Sequence, residues 1–345
     1  MIKSLLSVKP VTSLLAIGVA LSVLSTGAVA QTVKYKFALP ASLSVPRGVV
    51  AKRFADEVEK RSQGKIVFEI FPDSQLFPGA EEPKALSSGA IDVAIPNMSL
   101  IGSIEPNADI FTMPVFFGTT ARQVRAVLDG EPGKDIAQRI EKRLGVKVIG
   151  PGFDNGPDLI VTSKRAPETL KDLAGLKVRA PGGPKYSARL QAMGATPVFI
   201  RFEDLALALT QGTIDAVMTN DGGVVQGKLW ELGIQNALLL DLGWAPLVPI
   251  MSQRAWDRLG PEGQKIVTAA WADMLPGVRS YLDGEMAELR KAMADAKMKF
   301  YTPKADEVKA LRDILLAQQP ALATETKTDP ALLAAIEKVL QATPK

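Results

Sequence analysis

The 345-residue chain carries 41 Lys and Arg against 37 Asp and Glu, with no histidine and no cysteine. Missing imidazole and thiol remove the usual zinc ligands, the Ser-His-Asp and Cys-His nucleophile systems and any disulfide staple, which argues against an enzyme and leaves stability to packing. The charges are scattered through stretches such as 53–61 and form no basic face for a nucleic acid.

Residues 1–30 read as a signal peptide: Lys3 and Lys9 begin it, 14–24 is apolar, and Ala28-Val29-Ala30 is a small-residue cleavage site, so the mature chain is expected to begin at Gln31. That apolar run is shorter than the roughly 20 residues a spanning helix needs. An exported, soluble product is expected.

Alternating Val33, Tyr35, Phe37 and Leu39 predict a strand, followed by a turn-rich loop over 40–46 and an amphipathic helix over 47–62 ending near Gly64. Strand 65–71, loop 72–79, helix 81–88 and strand 91–96 continue the α/β alternation. After an apolar, proline-interrupted stretch at 109–117 come a helical region over 120–144, broken at 130–133, and a strand at 146–150. Phe153-Asp154-Asn155-Gly156-Pro157 has strong turn chemistry between extended runs and predicts a crossing between two halves. The second half is expected to hold a strand at 176–180, helix 185–193, strand 197–200, helix 202–211 and strand 214–218. An apolar run from Gly243 to Ser252 leads back to the first half, and a long helix from Gly260 should kink or break at Pro276-Gly277 before continuing over 278–298. From Asp306 the tail reads as two covering helices.

Residues 85–95 align without gaps on 208–218, sharing alanine, leucine, glycine, isoleucine and aspartate; each reads as a helix end, a glycine cap and a buried strand. This repeat favours two similar α/β lobes. The expected division is 31–154 plus 245–284 for lobe I and 155–244 plus 285–345 for lobe II. Arg179 ends the predicted strand 176–180, just before Pro181-Gly182-Gly183-Pro184. The carboxyl end of a strand in an open α/β sheet is where ligands bind, and a guanidinium there suits a carboxylate; the competing reading is an ordinary surface ion pair.

Phe71-Pro72-Asp73-Ser74-Gln75-Leu76, Ala85-Leu86 with Gly89 and Asp92, Met113-Pro114-Val115-Phe116, Thr162-Ser163-Lys164-Arg165, Leu173 to Arg179, Met193 to Pro197, and Gln211-Gly212 with Asp215 occur in one order over nearly the whole mature chain. This ordered set resembles the solute-binding proteins of tripartite ATP-independent periplasmic (TRAP) transporters, of the dicarboxylate-binding type. The resemblance implies a two-lobed periplasmic-binding-protein fold (type II-like), crossing strands and a long spanning helix. It also implies a periplasmic location, a ligand held in the cleft, and partners in the small and large membrane subunits of an ion-gradient-driven permease; no cofactor and no metal are expected.

By resemblance Arg179 is the carboxylate anchor. Where many members carry a second arginine after the Asn-Gly turn, this chain has Asp158, which would repel a second carboxylate. Either Asp158 meets a ligand hydroxyl or ammonium, or it turns away to a base such as Lys164. The chain also departs from the family at Thr219, Asn220 and Asp221, which are candidate contacts, although Asn220 to Gly223 also suits a helix-starting turn. Asn97, Ser42 and Ser44 occupy cleft positions by resemblance. Phe199, Phe202, Phe117, Trp244 and Met218 are candidate apolar walls, or else core. The expected ligand is a small organic monocarboxylate with an apolar or aromatic body and a polar substituent. The alternatives are a binding protein of an ATP-driven importer with the same fold and, less favoured, a periplasmic enzyme. The long helix region with Trp256 and Trp271 could support a dimer.

Overall fold

The computed structural model describes residues 32–163, 166–167 and 169–345, so the expected signal peptide and its cleavage site, with Lys164 and Arg165, lie outside the described residues. The chain runs β1 (Val33–Ala38), α1 (Pro46–Arg61), β2 (Ile66–Phe71), α2 (Glu82–Ser88), β3 (Val93–Ala94), α3 (Met98–Ile101), α4 (Ala121–Asp129), α5 (Glu131–Leu144) and β4 (Val146–Val148). It continues through β5 (Leu159–Thr162), β6 (Lys177–Ala180), α6 (Pro184–Ala192), β7 (Thr196–Phe199), α7 (Leu205–Thr210), β8 (Ala216–Thr219), α8 (Asp221–Gln226) and β9 (Asn236–Leu238). The last elements are β10 (Ile250–Ser252), α9 (Gln253–Arg258), α10 (Gly260–Asp295), β11 (Lys299–Tyr301), α11 (Ala305–Glu325) and α12 (Pro330–Ala342).

Two sheets result, one ordered β2-β1-β3-β10-β4 and the other β11-β9-β5-β8-β6-β7. Strand alternation explains why each is covered on both faces. Ala94 and Ile250 pack with α2, α4, α5 and α12 on one side of the first sheet, while Phe37, Val93 and Met251 pack with α1 and α10 on the other. In the second sheet Ile160, Val178 and Met218 face α6 and α11, and Leu159, Val161 and Val217 face α7 and α8.

β10 joins the first sheet antiparallel between β3 and β4, although all of β5 to β9 precedes it in the chain. The chain therefore crosses between the sheets after β4 and again after β9. These two segments pair with each other: Phe153 and Leu247 exchange both backbone hydrogen bonds at 2.9 Å, and Pro157 bridges Trp244. The 36-residue α10 makes the third crossing and runs unbroken through Pro276, so the break expected there does not occur. Trp271 explains part of its hold. The ring is fully buried, stacks edge-on with Phe54 at 5.1 Å, and donates its indole N–H to the Pro151 carbonyl at 2.9 Å in the first crossing. That burial removes Trp271 from any dimer surface, and Trp256 belongs to α9.

The sequence repeat corresponds to one joint built twice. Gly89 (φ 72°) and Gly212 (φ 67°) end α2 and the α7 turn in the left-handed region, where a side chain is disfavoured. Asp92 then accepts from the Lys36 N–H of the neighbouring strand at 2.8 Å, and Asp215 accepts from Lys177 N–H at 3.0 Å. Each aspartate's own N–H donates back to the same residue's carbonyl, at 3.0 and 2.8 Å.

Candidate functional site

Parallel strands β6, β7 and β8 end together, and the edge they share opens on a cavity walled by both halves of the chain. Arg179 is the third residue of β6, flanked by Val198 of β7 and Val217 of β8. Its Nε donates to the Ile200 carbonyl at 2.9 Å and Nη1 to the Met218 carbonyl at 3.0 Å, so the ends of both flanking strands fix the plane of the guanidinium. Nη2 has no bond among the described residues. The side chain is 4% exposed, and burial draws its pKa down to about 10 against the smaller opposing fields of Tyr186, Asp158 and Glu203. It remains a cation at neutral pH.

Two other arginines line the cavity, and both are held by acids. Arg47 of α1 donates through Nη2 to both Glu82 carboxylate oxygens, at 2.8 and 3.1 Å. Arg201 pairs with Asp204 at 2.9 Å and lies 3.9 Å from Glu81. Among the described residues no carboxylate forms a salt bridge with Arg179, so the surface ion-pair reading of this residue does not describe it.

Asp158 precedes β5, lines the same cavity and is 3% exposed. Its base partner is one that sequence reasoning did not name: Arg189 of α6, whose Nη1 lies 3.5 Å from Oδ2. Arg189 is fully buried, donates through Nη2 to the Thr112 carbonyl and lies with its guanidinium 5.6 Å from the Tyr186 ring centroid. Gly243 makes room for it, since a Cβ there would stand 2.3 to 2.7 Å from the guanidinium atoms. Burial pushes the Asp158 pKa up to about 7, while Arg189 and then Arg179 pull it down. One turn earlier on the same helix face Lys185 donates to the Pro106 carbonyl at 2.7 Å and pairs with Asp109. The basic pair four residues apart in a helix following the Arg179 strand was the available signal.

Of the other predicted residues, Asn97, Phe199, Thr219 and Asn220 line the cavity with Arg179 and Asp158. Asn220 does so while capping α8, the helix-start reading: Oδ1 accepts from Gly223 N–H at 2.8 Å and Nδ2 donates to the Asn155 carbonyl at 2.8 Å. Asn97 likewise caps α3 through Ser99 N–H. Six candidates lie outside the lining. Met218 offers only its carbonyl to Arg179, its side chain being buried against α6 and α11; Trp244 is core, its indole donating to the Thr119 hydroxyl at 2.9 Å. Asp221 is buried 3.5 Å from Arg290 of α10. Ser42 and Ser44 hydrogen-bond each other at 2.9 Å, and their loop presents Pro40, Val45 and then Arg47 to the cavity instead. Phe202 is a second aromatic in the lining, whereas Phe117 is core. Also unforeseen are Asn155, Tyr186, Glu203 and Gln226.

Two of these close the cavity from opposite sides. Glu203 accepts from Gly79 N–H at 3.1 Å, and Gln226 donates to the Pro40 carbonyl at 3.3 Å. Among the described residues no group of His, Cys, Asp and Glu is placed to hold a metal, and no helix is long and apolar enough to cross a membrane.

Paired crossing segments, a helix spanning two α/β lobes and an oriented cation in the cleft between them define a two-lobed solute-binding protein. The chain belongs to the bacterial extracellular solute-binding protein family 7, the DctP family of TRAP transporters, whose profile matches residues 37–324. That family consists of binding proteins and not enzymes. The chain is 26% identical over 296 residues to the C4-dicarboxylate-binding periplasmic protein DctP of Rhodobacter capsulatus, covering 85% of this chain and 87% of that one. Its fold matches the sugar-acid-binding protein of Advenella mimigardefordensis in complex with galactonate (TM-score 0.85, 20% identity, 90% of this chain and 99% of that one). It also matches a TRAP solute-binding protein from Bradyrhizobium sp. in complex with galacturonate (TM-score 0.80, 24% identity, 90% and 100%).

Proposed function

We propose that this chain is exported to the periplasm, captures a small organic acid through a single carboxylate held by Arg179, and delivers it to the membrane subunits of a TRAP permease. The observation that carries this reading is the contrast among three lining arginines: Arg47 and Arg201 are held by carboxylates, while Arg179 is held only by two carbonyls that orient it. A buried guanidinium is costly without an anion, and a ligand carboxylate enclosed as the lobes meet offsets that cost. The relatives named for C4-dicarboxylates, galactonate and galacturonate support an acid as the ligand. For its body, the predicted aromatic walls reduce to Phe199 and Phe202, joined by the ring of Tyr186, whereas Asn97, Asn155, Thr219, Asn220 and Gln226 supply amides and a hydroxyl. A monocarboxylate with polar substituents fits that lining better than an apolar or aromatic one.

The test is a thermal-shift screen of carboxylates on protein isolated from periplasm, whose intact mass should match a chain starting at Gln31, followed by calorimetry on the hits. Arg179→Met should weaken binding by roughly 100-fold or more, the loss of charge-assisted hydrogen bonds at about 1.5–3 kcal/mol each. Near-normal affinity in that variant would sink the anchor.

A further inference from the structure

Among the described residues Asp158 is the one buried acid that lines the cavity beside Arg179, and three contacts hold it. Its N–H donates to the Gly243 carbonyl at 2.8 Å, its carbonyl accepts from Leu242 N–H at 3.1 Å, Arg189 stands 3.5 Å from Oδ2, and Arg189 is itself bound to Thr112 and admitted by the missing side chain at Gly243. Oδ1 has no bond among the described residues. The backbone bonds fix where the side chain starts, Arg189 engages Oδ2, and the free Oδ1 is an acceptor in search of a donor. Arg189 already balances its charge, and Arg179 adds a second cation nearby, so the partner that fits is a neutral donor and not an ammonium.

We propose that the Asp158–Arg189 pair is the specificity-determining element of the cleft: it selects acids that carry a hydroxyl close to the carboxylate bound at Arg179, and it rejects a second carboxylate at that place. The inference rests on the carboxylate-anchor reading and adds to it the chemical class of the acid. Discrimination of this kind is steep, because a plain alkanoate leaves Oδ1 buried and unpaired, and a second carboxylate meets it with like charge.

Calorimetry with four six-carbon probes separates the two readings: D-galactonate, its 2-amino-2-deoxy analogue, hexanoate, which has no hydroxyl, and propylmalonate, which sets a second carboxylate on the carbon that bears the 2-hydroxyl in galactonate. The wild-type chain should bind galactonate at least tenfold more tightly than each of the others. Asp158→Asn alone leaves Arg189 buried without a counter-charge, and loss of fold is expected from it. The double variant Asp158→Asn, Arg189→Gln removes both charges together; with its fold checked by circular dichroism, it should narrow the galactonate-to-propylmalonate and galactonate-to-hexanoate gaps by threefold or more. Equal wild-type affinity for galactonate and hexanoate, tighter binding of the amino analogue, or unchanged ratios in the double variant would each overturn the inference. In those cases loss of all binding in Arg179→Met leaves the carboxylate anchor standing. Should none of the four bind the wild type, the hydroxy-acid inference falls, and the anchor is decided separately by Arg179→Met against the acids that the thermal-shift screen finds.

Discussion

Gly243 controls whether Asp158 has a counter-charge. With any Cβ at this position 2.3 to 2.7 Å from the Arg189 guanidinium, that side chain must leave its place between Asp158 and the Thr112 carbonyl. Gly243→Ala is therefore expected to destabilise the chain by about 1–3 kcal/mol, the range for forcing an atom into a packed interior. Urea unfolding measures it; a loss under about 0.5 kcal/mol would mean that the guanidinium has room to step aside. At this scale the sequence is legible where chemistry and local pattern coincide. Arg179 could be read as a cation at a strand end because Leu176, Val178 and Ala180 alternate with it and a proline-glycine loop follows. Arg189 could not be read as the partner of Asp158, because the two are 31 residues apart and meet only through the packing of α6 on a crossing segment. Met218 and Trp244 show the converse: a bulky residue near a strand end has no local mark that separates wall from core.

The repeated helix–glycine–strand joint was visible as a sequence alignment, and its role follows from hydrogen bonding. In each copy the aspartate and the backbone of one neighbouring-strand residue exchange two bonds, Asp92 with Lys36 and Asp215 with Lys177, which sets the register between adjacent parallel strands before the sheet extends. The two copies differ in burial, since Asp92 is 5% exposed and the Asp215 bond is exposed. Asp92→Ala should thus cost about 1.5–3 kcal/mol, and Asp215→Ala about 0.5–1.5 kcal/mol, because a part-buried N–H left without its acceptor pays more of the desolvation penalty that water relieves at the surface. Chemical denaturation of the two variants in parallel checks the order; equal losses would show that the joint is not graded by burial. Element boundaries were less legible than element types. Gly130 alone separates α4 from α5, and Pro276 lies inside α10, where a proline was expected to interrupt. Packing of α10 against α1 and α8 holds that helix together past a residue its local propensity opposes.

For the whole molecule, the crossings between the sheets, to which α11 adds a fourth by running from the core of the second sheet onto that of the first, and the bonds across the cavity oppose each other. The paired segments at Phe153 and Leu247, together with α10, join the two halves through the chain itself, whereas Glu203 to Gly79 and Gln226 to Pro40 bond across the cavity wall and, on the closure proposed above, would form only when the lobes meet. Such contacts contribute nothing to the stability of either lobe and bias the equilibrium between apart and together, so their free energy is read in how long a ligand stays. Glu203 is an exposed residue whose bond to Gly79 N–H is part-buried, which sets its net worth at about 0.5–1.5 kcal/mol. Glu203→Ala should therefore raise the dissociation rate of a bound acid roughly two- to tenfold, with the association rate and the unliganded melting temperature nearly unchanged. Stopped-flow displacement gives both rates. A melting temperature that falls in the free protein would make Glu203 part of the fold and not of the closure; an unchanged dissociation rate would mean that the crossings and the ligand alone hold the lobes together.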